Sequence, residues 1–134
     1  MDGSYKRGGN SKQLNVLGGD LEPCRSSKDE NEIVTGFYRD NCCNTGPDDF
    51  GLHTVCCIMT KSFLIFSKSV GNDLSTPIPE YNFKGLKEGD HWCLCASRWQ
   101  EAFEAGKAPK VVLKSTNIAT ISVVKLEDLK KYTA

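Results

Sequence analysis

Seven cysteines punctuate a chain of 134 residues: Cys24, Cys42, Cys43, Cys56, Cys57, Cys93 and Cys95. A chain this short supports one core rather than two, so all seven thiols belong in or around the same domain. Their number is odd. The opening MDGSYKRGGNSKQ has no apolar h-region, so it reads as neither a signal peptide nor a membrane anchor. The expected compartment is therefore the reducing cytoplasm, where a disulfide framework is not the natural reading. Reduced thiols that pack, bind metal or react are what the spacing leaves.

Charge narrows the partners. Lys plus Arg and Asp plus Glu both number 17, giving formal net zero. A nucleic-acid binder needs an excess of basic residues to displace phosphate counterions, and no basic stripe occurs here. No apolar run approaches the roughly 18 residues of a spanning helix. Nucleic acid and membrane are thus disfavoured as partners; a small polar ligand is one candidate, and protein partners stay open.

The order of patterns predicts an α+β fold, a small mixed sheet with two or three short helices in a single domain. Residues 1–13 are polar and Gly-rich and read as a disordered N-terminal arm, with the globular domain over 14–134. LNVLGGDL at Leu14–Leu21 reads as a short strand broken by two glycines, and CRSSKDENE at Cys24–Glu32 as a charged loop. Gly46-Pro47-Asp48-Asp49 is a turn signal. Leu52–Met59 is apolar and β-branched, the pattern of a buried strand. Thr60 is a candidate cap for a helix over Lys61–Ser69, with Gly71 at its left-handed end.

Residues 72–90 are rich in turn formers and predict a long irregular segment, the kind of loop that often carries function. Trp92–Ala96 reads as a strand. Ser97 and Gln100 fit a capping box for a helix through Ala105, which Gly106 would end. Lys110–Leu113 and Ile121–Lys125 read as strands, and Leu126–Tyr132 as a closing helix.

From Leu14 onward the chain resembles the Domain of Unknown Function family numbered twenty-two thirty-seven, small and mainly bacterial proteins. The resemblance rests on LNVLGGDLEPC at Leu14–Cys24, TGFYRDNCCNTGPDDFGLHTVC at Thr35–Cys56, GNDLSTPIPEY at Gly71–Tyr81, GDHWCLCASRW at Gly89–Trp99 and AGKAPKVVL at Ala105–Leu113. It implies no activity and transfers no catalytic residue. Two departures stand out. The loop between Cys24 and Thr35 is longer than is usual in the family, and Asn117 stands where the family commonly carries a histidine.

Three chemistries fit the cysteines. Cys93 and Cys95 alternate along a strand, so both point to one face while Trp92 and Leu94 take the other. Their α-carbons, roughly 6–7 Å apart at a ~3.3 Å rise, let both sulfurs reach one zinc ion. The candidate metal set is some subset of Cys42, Cys43, His53, Cys56, Cys93 and Cys95. No CxxC pair supports it, and His53 and Cys56 face opposite ways on an extended strand. A second chemistry makes Cys42 a nucleophile or redox thiol, with Arg39 favouring its thiolate, His53 as base and Asp73 positioning substrate. The third makes every cysteine a small packing residue, and Asp73 a turn former in Gly71–Pro77.

The segments RDNCCNTGPDDFGLH, GNDLSTP and WCLC are expected to meet at one cleft, since loops held on a rigid sheet build sites. The leading expectation is a cysteine- and histidine-lined cleft that binds zinc or a small polar ligand. A cysteine-nucleophile or thiol-redox enzyme and a non-catalytic interaction module are the alternatives.

Overall fold

The computed structural model describes residues 13–25 and 33–134, together with the backbone of two short strands, β1 (Ser4–Tyr5) and β2 (Arg7–Gly8), which pair with each other. The expected disordered arm over 1–13 otherwise lies outside the described residues, as does most of the charged loop after Cys24. Gln13, at the arm's end, is held at both ends of its amide: Nε2 donates to the Thr45 carbonyl, while Oε1 accepts from the Thr45 N–H and from Asn117 Nδ2.

The fold is α+β in a single small domain. A three-stranded antiparallel sheet has β3 (His53–Ile58) in the centre, β4 (His91–Cys95) on one side and β5 (Lys110–Val111) on the other. Three helices follow the strands: α1 (Lys61–Ser69), α2 (Ala96–Glu104) and α3 (Leu126–Lys130). The central strand is buried along its length because both of its faces are covered.

On one face Val55 and Cys57 of β3 join Trp92 and Leu94 of β4, and these pack with Phe63 and Leu64 of α1 and Ala96, Trp99 and Ala102 of α2. Trp99 is fully buried; its ring stacks on Phe103, meets Tyr132 edge-on and donates its indole N–H to the Pro109 carbonyl. Such large aromatic anchors dominate the burial energy of a small core. Cys57 belongs to this face, and desolvation by burial pushes its thiol well above the ordinary cysteine range, so it packs as a small hydrophobe.

Among the described residues, none of the three α-helices contributes to the cluster on the opposite face. Cys56 and Cys93 point to it, and it is covered by two irregular segments carrying Cys24 and Cys43. Two disulfides join strand to loop, Cys24–Cys56 and Cys43–Cys93, with α-carbons 5.6 Å and 5.3 Å apart. This corrects the expectation that disulfides are absent. Odd count and apparent compartment are arguments about chemistry in the cell, whereas the loops need a covalent tie because they offer few apolar side chains to bury against the sheet. Cys42, Cys57 and Cys95 remain outside the bridges.

Several local expectations hold for stated reasons. The Thr60 hydroxyl accepts from the Phe63 N–H at the start of α1, and Gly71 takes φ +91° beyond its end. Residues 72–90 are irregular apart from a single 3-10 turn at Pro79–Tyr81. Two do not hold. The Ser97 capping box is absent, because β4 passes directly into α2 with Cys95 at the cap position and Ser97 already helical. Ile118–Ser122 is a 3-10 turn rather than part of a strand, since the flank of β3 is already used. There Val112 donates to the Cys56 carbonyl, the Thr116 hydroxyl accepts from the Cys56 N–H, and Asn117 donates to the Thr54 carbonyl. The Asn117 side chain then caps the turn by accepting from the Ala119 N–H.

Candidate functional site

Residues 35–42 form a loop whose shape is set by backbone close approach. Gly36 takes φ +99°, and a β-carbon there would lie 2.5 Å from the Cys42 carbonyl oxygen. The loop is tied down by Thr35 and Asn41. Asn41 donates its N–H to the Thr35 carbonyl, its side chain accepts from the Thr35 N–H, and the Thr35 hydroxyl accepts from the Cys93 N–H at 2.8 Å. Arg39 and Asn41 both sit in the left-handed region, at φ 58° and 62°. For arginine this conformation is unfavourable, and it holds the side chain out over the sheet edge.

That side chain lies over the Trp92 ring, 5.6 Å from its centroid, with one guanidinium nitrogen donating to the Gly36 carbonyl. The arginine–tryptophan pair stands between two adjoining cavities and lines both. The larger, about 560 Å³, is walled by apolar side chains including Ile33, Leu74, Ile78 and Phe83, with Asp73 and Asn82 as polar members. The smaller, about 310 Å³, is lined by Gly36, Phe37, His53 and Cys93 besides Arg39 and Trp92. Volumes of this order suit small molecules, and an apolar wall with a few polar groups is the usual composition of a ligand site.

His53 opens β3 and pairs in register with Cys95, at an irregularity of the ladder before Val55. Leu52 immediately before it takes φ 47°, a strained conformation for a bulky residue. His53 is oriented from below by Asp49: Nδ1 lies 2.6 Å from Asp49 Oδ1, and the His53 backbone N–H donates to Oδ2. The Thr45 hydroxyl also donates to that carboxylate. The Asp49 side chain is fully buried, while His53 keeps 41% of its side chain exposed beside the Phe37 ring. Burial alone would raise the Asp49 carboxyl. The hydrogen bonds from the His53 ring and backbone and from Thr45 outweigh it and hold the carboxyl below its ordinary value. Asp49 keeps one face of the imidazole fixed and leaves Nε2 as the ring's other nitrogen.

The candidate residues separate into groups. Arg39 and His53 share the smaller cavity, and Arg39 and Asp73 the larger. The Asp73 carboxylate also closes its own turn, accepting from the Thr76 hydroxyl and the Ser75 and Thr76 N–H groups, which lowers its pKa. Cys42 lines neither cavity. Of the candidate metal ligands, Cys43, Cys56 and Cys93 are in disulfides, whereas Cys95 lies 3.2 Å from the Ser97 hydroxyl. The sulfurs of Cys24, Cys43 and Cys93 all lie within 4.8 Å of one another.

Asp49 was legible only as a turn residue, and Cys24 only as the start of a loop. The signal for Asp49 was its position four residues before the histidine across the Gly51 turn; no signal along the chain pairs Cys24 with Cys56. Asn117 is buried and donates to Gln13 and to the Cys43 carbonyl, tying the chain end near Gln13 to the Cys43 segment.

No helix among the described residues is long and apolar enough to cross a membrane. The chain belongs to the family described as an uncharacterised protein conserved in bacteria (DUF2237), whose profile matches residues 14–133. No curated protein matches the sequence.

Proposed function

We propose that the protein binds a small molecule with a flat apolar body and an anionic end, in the paired cavities on either side of Arg39 and Trp92. The observation that carries this reading is the Arg39–Trp92 pair itself. One planar cation lies on one aromatic face, at a residue in an unfavourable backbone conformation, where two cavities meet. The apolar body packs against Ile33, Leu74, Phe83 and Trp92. The anionic end reaches the guanidinium, which has more donors than the Gly36 carbonyl occupies. Net zero charge agrees with a small ligand rather than a polyanion.

The test is a titration of aromatic carboxylates, each beside its neutral amide, followed by tryptophan fluorescence. The carboxylates should change the emission, the effect should vanish in Trp92→Phe, and Arg39→Gln should weaken binding by about 10- to 100-fold, the loss of one charged hydrogen bond. Equal binding of acids and amides, or none at millimolar concentration, overturns it.

A second reading is favoured by the Asp49–His53 pair, which has the geometry of an oriented general base at the wall of the smaller cavity. In that reading the site is catalytic and His53 takes a proton from the bound molecule or a water. A cysteine nucleophile fits it less well, because Cys42 lies outside both cavities and Cys93 is bridged. Turnover of a bound carboxylate or its ester that is abolished by His53→Gln without loss of binding would favour catalysis.

A further inference from the structure

Four sulfur atoms form a core of their own. Cys24, Cys43, Cys56 and Cys93 make a buried cluster separate from the main apolar core, with Val112 the only hydrophobic side chain packed beside them among the described residues. The Cys24, Cys43 and Cys93 sulfurs are mutually within 4.8 Å, and the Cys56 sulfur is bonded to that of Cys24, so the two bridges lie side by side. A tetrahedral zinc ion with Zn–S near 2.3 Å places its sulfurs about 3.8 Å apart. The Cys24, Cys43 and Cys93 sulfurs are close to that spacing, and the Cys56 sulfur has to swing toward them.

Hydrogen bonds also hold the backbone beside each cysteine of the cluster. Cys56 and Cys93 are register partners on adjacent strands. Their N–H groups donate to the Thr116 and Thr35 hydroxyls. The Cys24 N–H donates to the Asn41 carbonyl at 2.7 Å, and the Cys43 carbonyl accepts from Asn117. Each cysteine is therefore pinned by a bond next to its own side chain. Opening both bridges leaves four thiols in one buried cluster.

We propose that, once the bridges are reduced, Cys24, Cys43, Cys56 and Cys93 bind a single zinc ion as a closed tetrathiolate site. Two equivalents of a dithiol reduce the two bridges and are themselves oxidised to cyclic disulfides, leaving four thiols on the protein. Zinc then displaces their four protons to form four Zn–S bonds. Soft thiolates in a tetrahedral set select zinc among the common divalent ions. With four protein ligands the ion has no open position, so its role is structural: it covers the sheet face in a reducing compartment as the disulfides cover it in an oxidising one. This set includes Cys24 and omits Cys42, His53 and Cys95, and it stands independently of the ligand reading of the cavities.

The test uses the full chain, with and without prior reduction, titrated anaerobically with cobalt(II) and then zinc(II). The reduced chain should take up about one cobalt per chain, with the intense sulfur-to-cobalt absorption and visible bands of a tetrathiolate site, and zinc should bleach them. The unreduced chain should show neither. The double variant Cys42→Ala/Cys95→Ala should behave as the reduced parent, and Cys24→Ala/Cys56→Ala should lose the spectrum. Absence of the thiolate–cobalt absorption in the reduced parent chain, folded or not by circular dichroism, overturns the proposal. So does a spectrum that survives loss of Cys24 and Cys56 or disappears with Cys42 and Cys95.

Discussion

Cys56 and Cys93 face each other across β3 and β4 as register partners, yet neither bonds to the other. Each reaches outward to a different loop, Cys56 to Cys24 and Cys93 to Cys43. The strand pairing is already secured by its ladder, and the covalent bonds go instead to the irregular segments carrying Cys24 and Cys43. Cys93 also lines the smaller cavity, so the same bridge fixes the wall of the candidate site.

Loss of the Cys43–Cys93 bridge should be costly. It spans 50 residues of sequence, and closing a loop of that length restricts the unfolded chain by roughly 4 kcal/mol in the chain-entropy account. Cys43→Ala/Cys93→Ala should lower the urea unfolding free energy by about 2–5 kcal/mol. An unchanged midpoint would show that this bridge contributes nothing to the fold.

Two glycines with similar backbone angles should respond differently to alanine. Gly18 takes φ +89° with nothing within 4 Å of a β-carbon, so Gly18→Ala should cost about 1–2 kcal/mol, the left-handed penalty alone. Gly36 has φ +99° and the Cys42 carbonyl in the way, so Gly36→Ala should cost clearly more and disturb the Arg39 loop. Urea denaturation of both variants compares them directly; equal costs would mean that the Gly36 contact relaxes freely.

Thr116 stands in for a missing ladder partner. Its hydroxyl accepts from the buried Cys56 N–H and donates to the Val112 carbonyl. Thr116→Val keeps the shape and orphans that N–H, so a loss of about 1–3 kcal/mol is expected. Amide hydrogen exchange at Cys56 should quicken in the variant, and unaltered exchange would deny the hydroxyl its role.

The Asp49 carboxylate should show its contribution in acid. Its folded pKa is held below the ordinary value of 3.8, so the stabilisation is fully present above the unfolded pKa and is lost as pH falls through the folded one. The stability gap between the parent chain and Asp49→Asn should therefore be steady above about pH 5 and shrink below about pH 4. Urea midpoints measured from acid to neutral pH test this, and a gap that persists undiminished in acid would show that the carboxylate's charge does not stabilise the fold.

Much of the local structure was legible along the chain, because it is decided by neighbours a few residues apart. The apolar run before Met59, the Thr60 cap, the Gly71 and Gly106 helix ends and the turn-rich stretch after Asn72 each carry their own cause in adjacent side chains. Strand alternation likewise put Cys93 on the face opposite Trp92 and Leu94. The misread elements were those whose partners lie elsewhere. Ile121–Lys125 has strand-forming residues, but the flank of β3 was already taken by Val112, Thr116 and Asn117.

For the site, the residue types were visible and their partners were not. Arg39, His53 and Asp73 stand out by chemistry, whereas Trp92 read only as a buried strand residue; Asp49 beneath His53 and Arg39 over Trp92 follow from a loop closing back on a sheet. The cysteines show the division most plainly. Sequence alone determined that one core must accommodate seven of them and which ones share a strand face. Only the tertiary structure decided that Cys24 meets Cys56 and Cys43 meets Cys93, because pairing depends on which loops cross the uncovered face, and no periodicity along a chain encodes a contact 32 or 50 residues away.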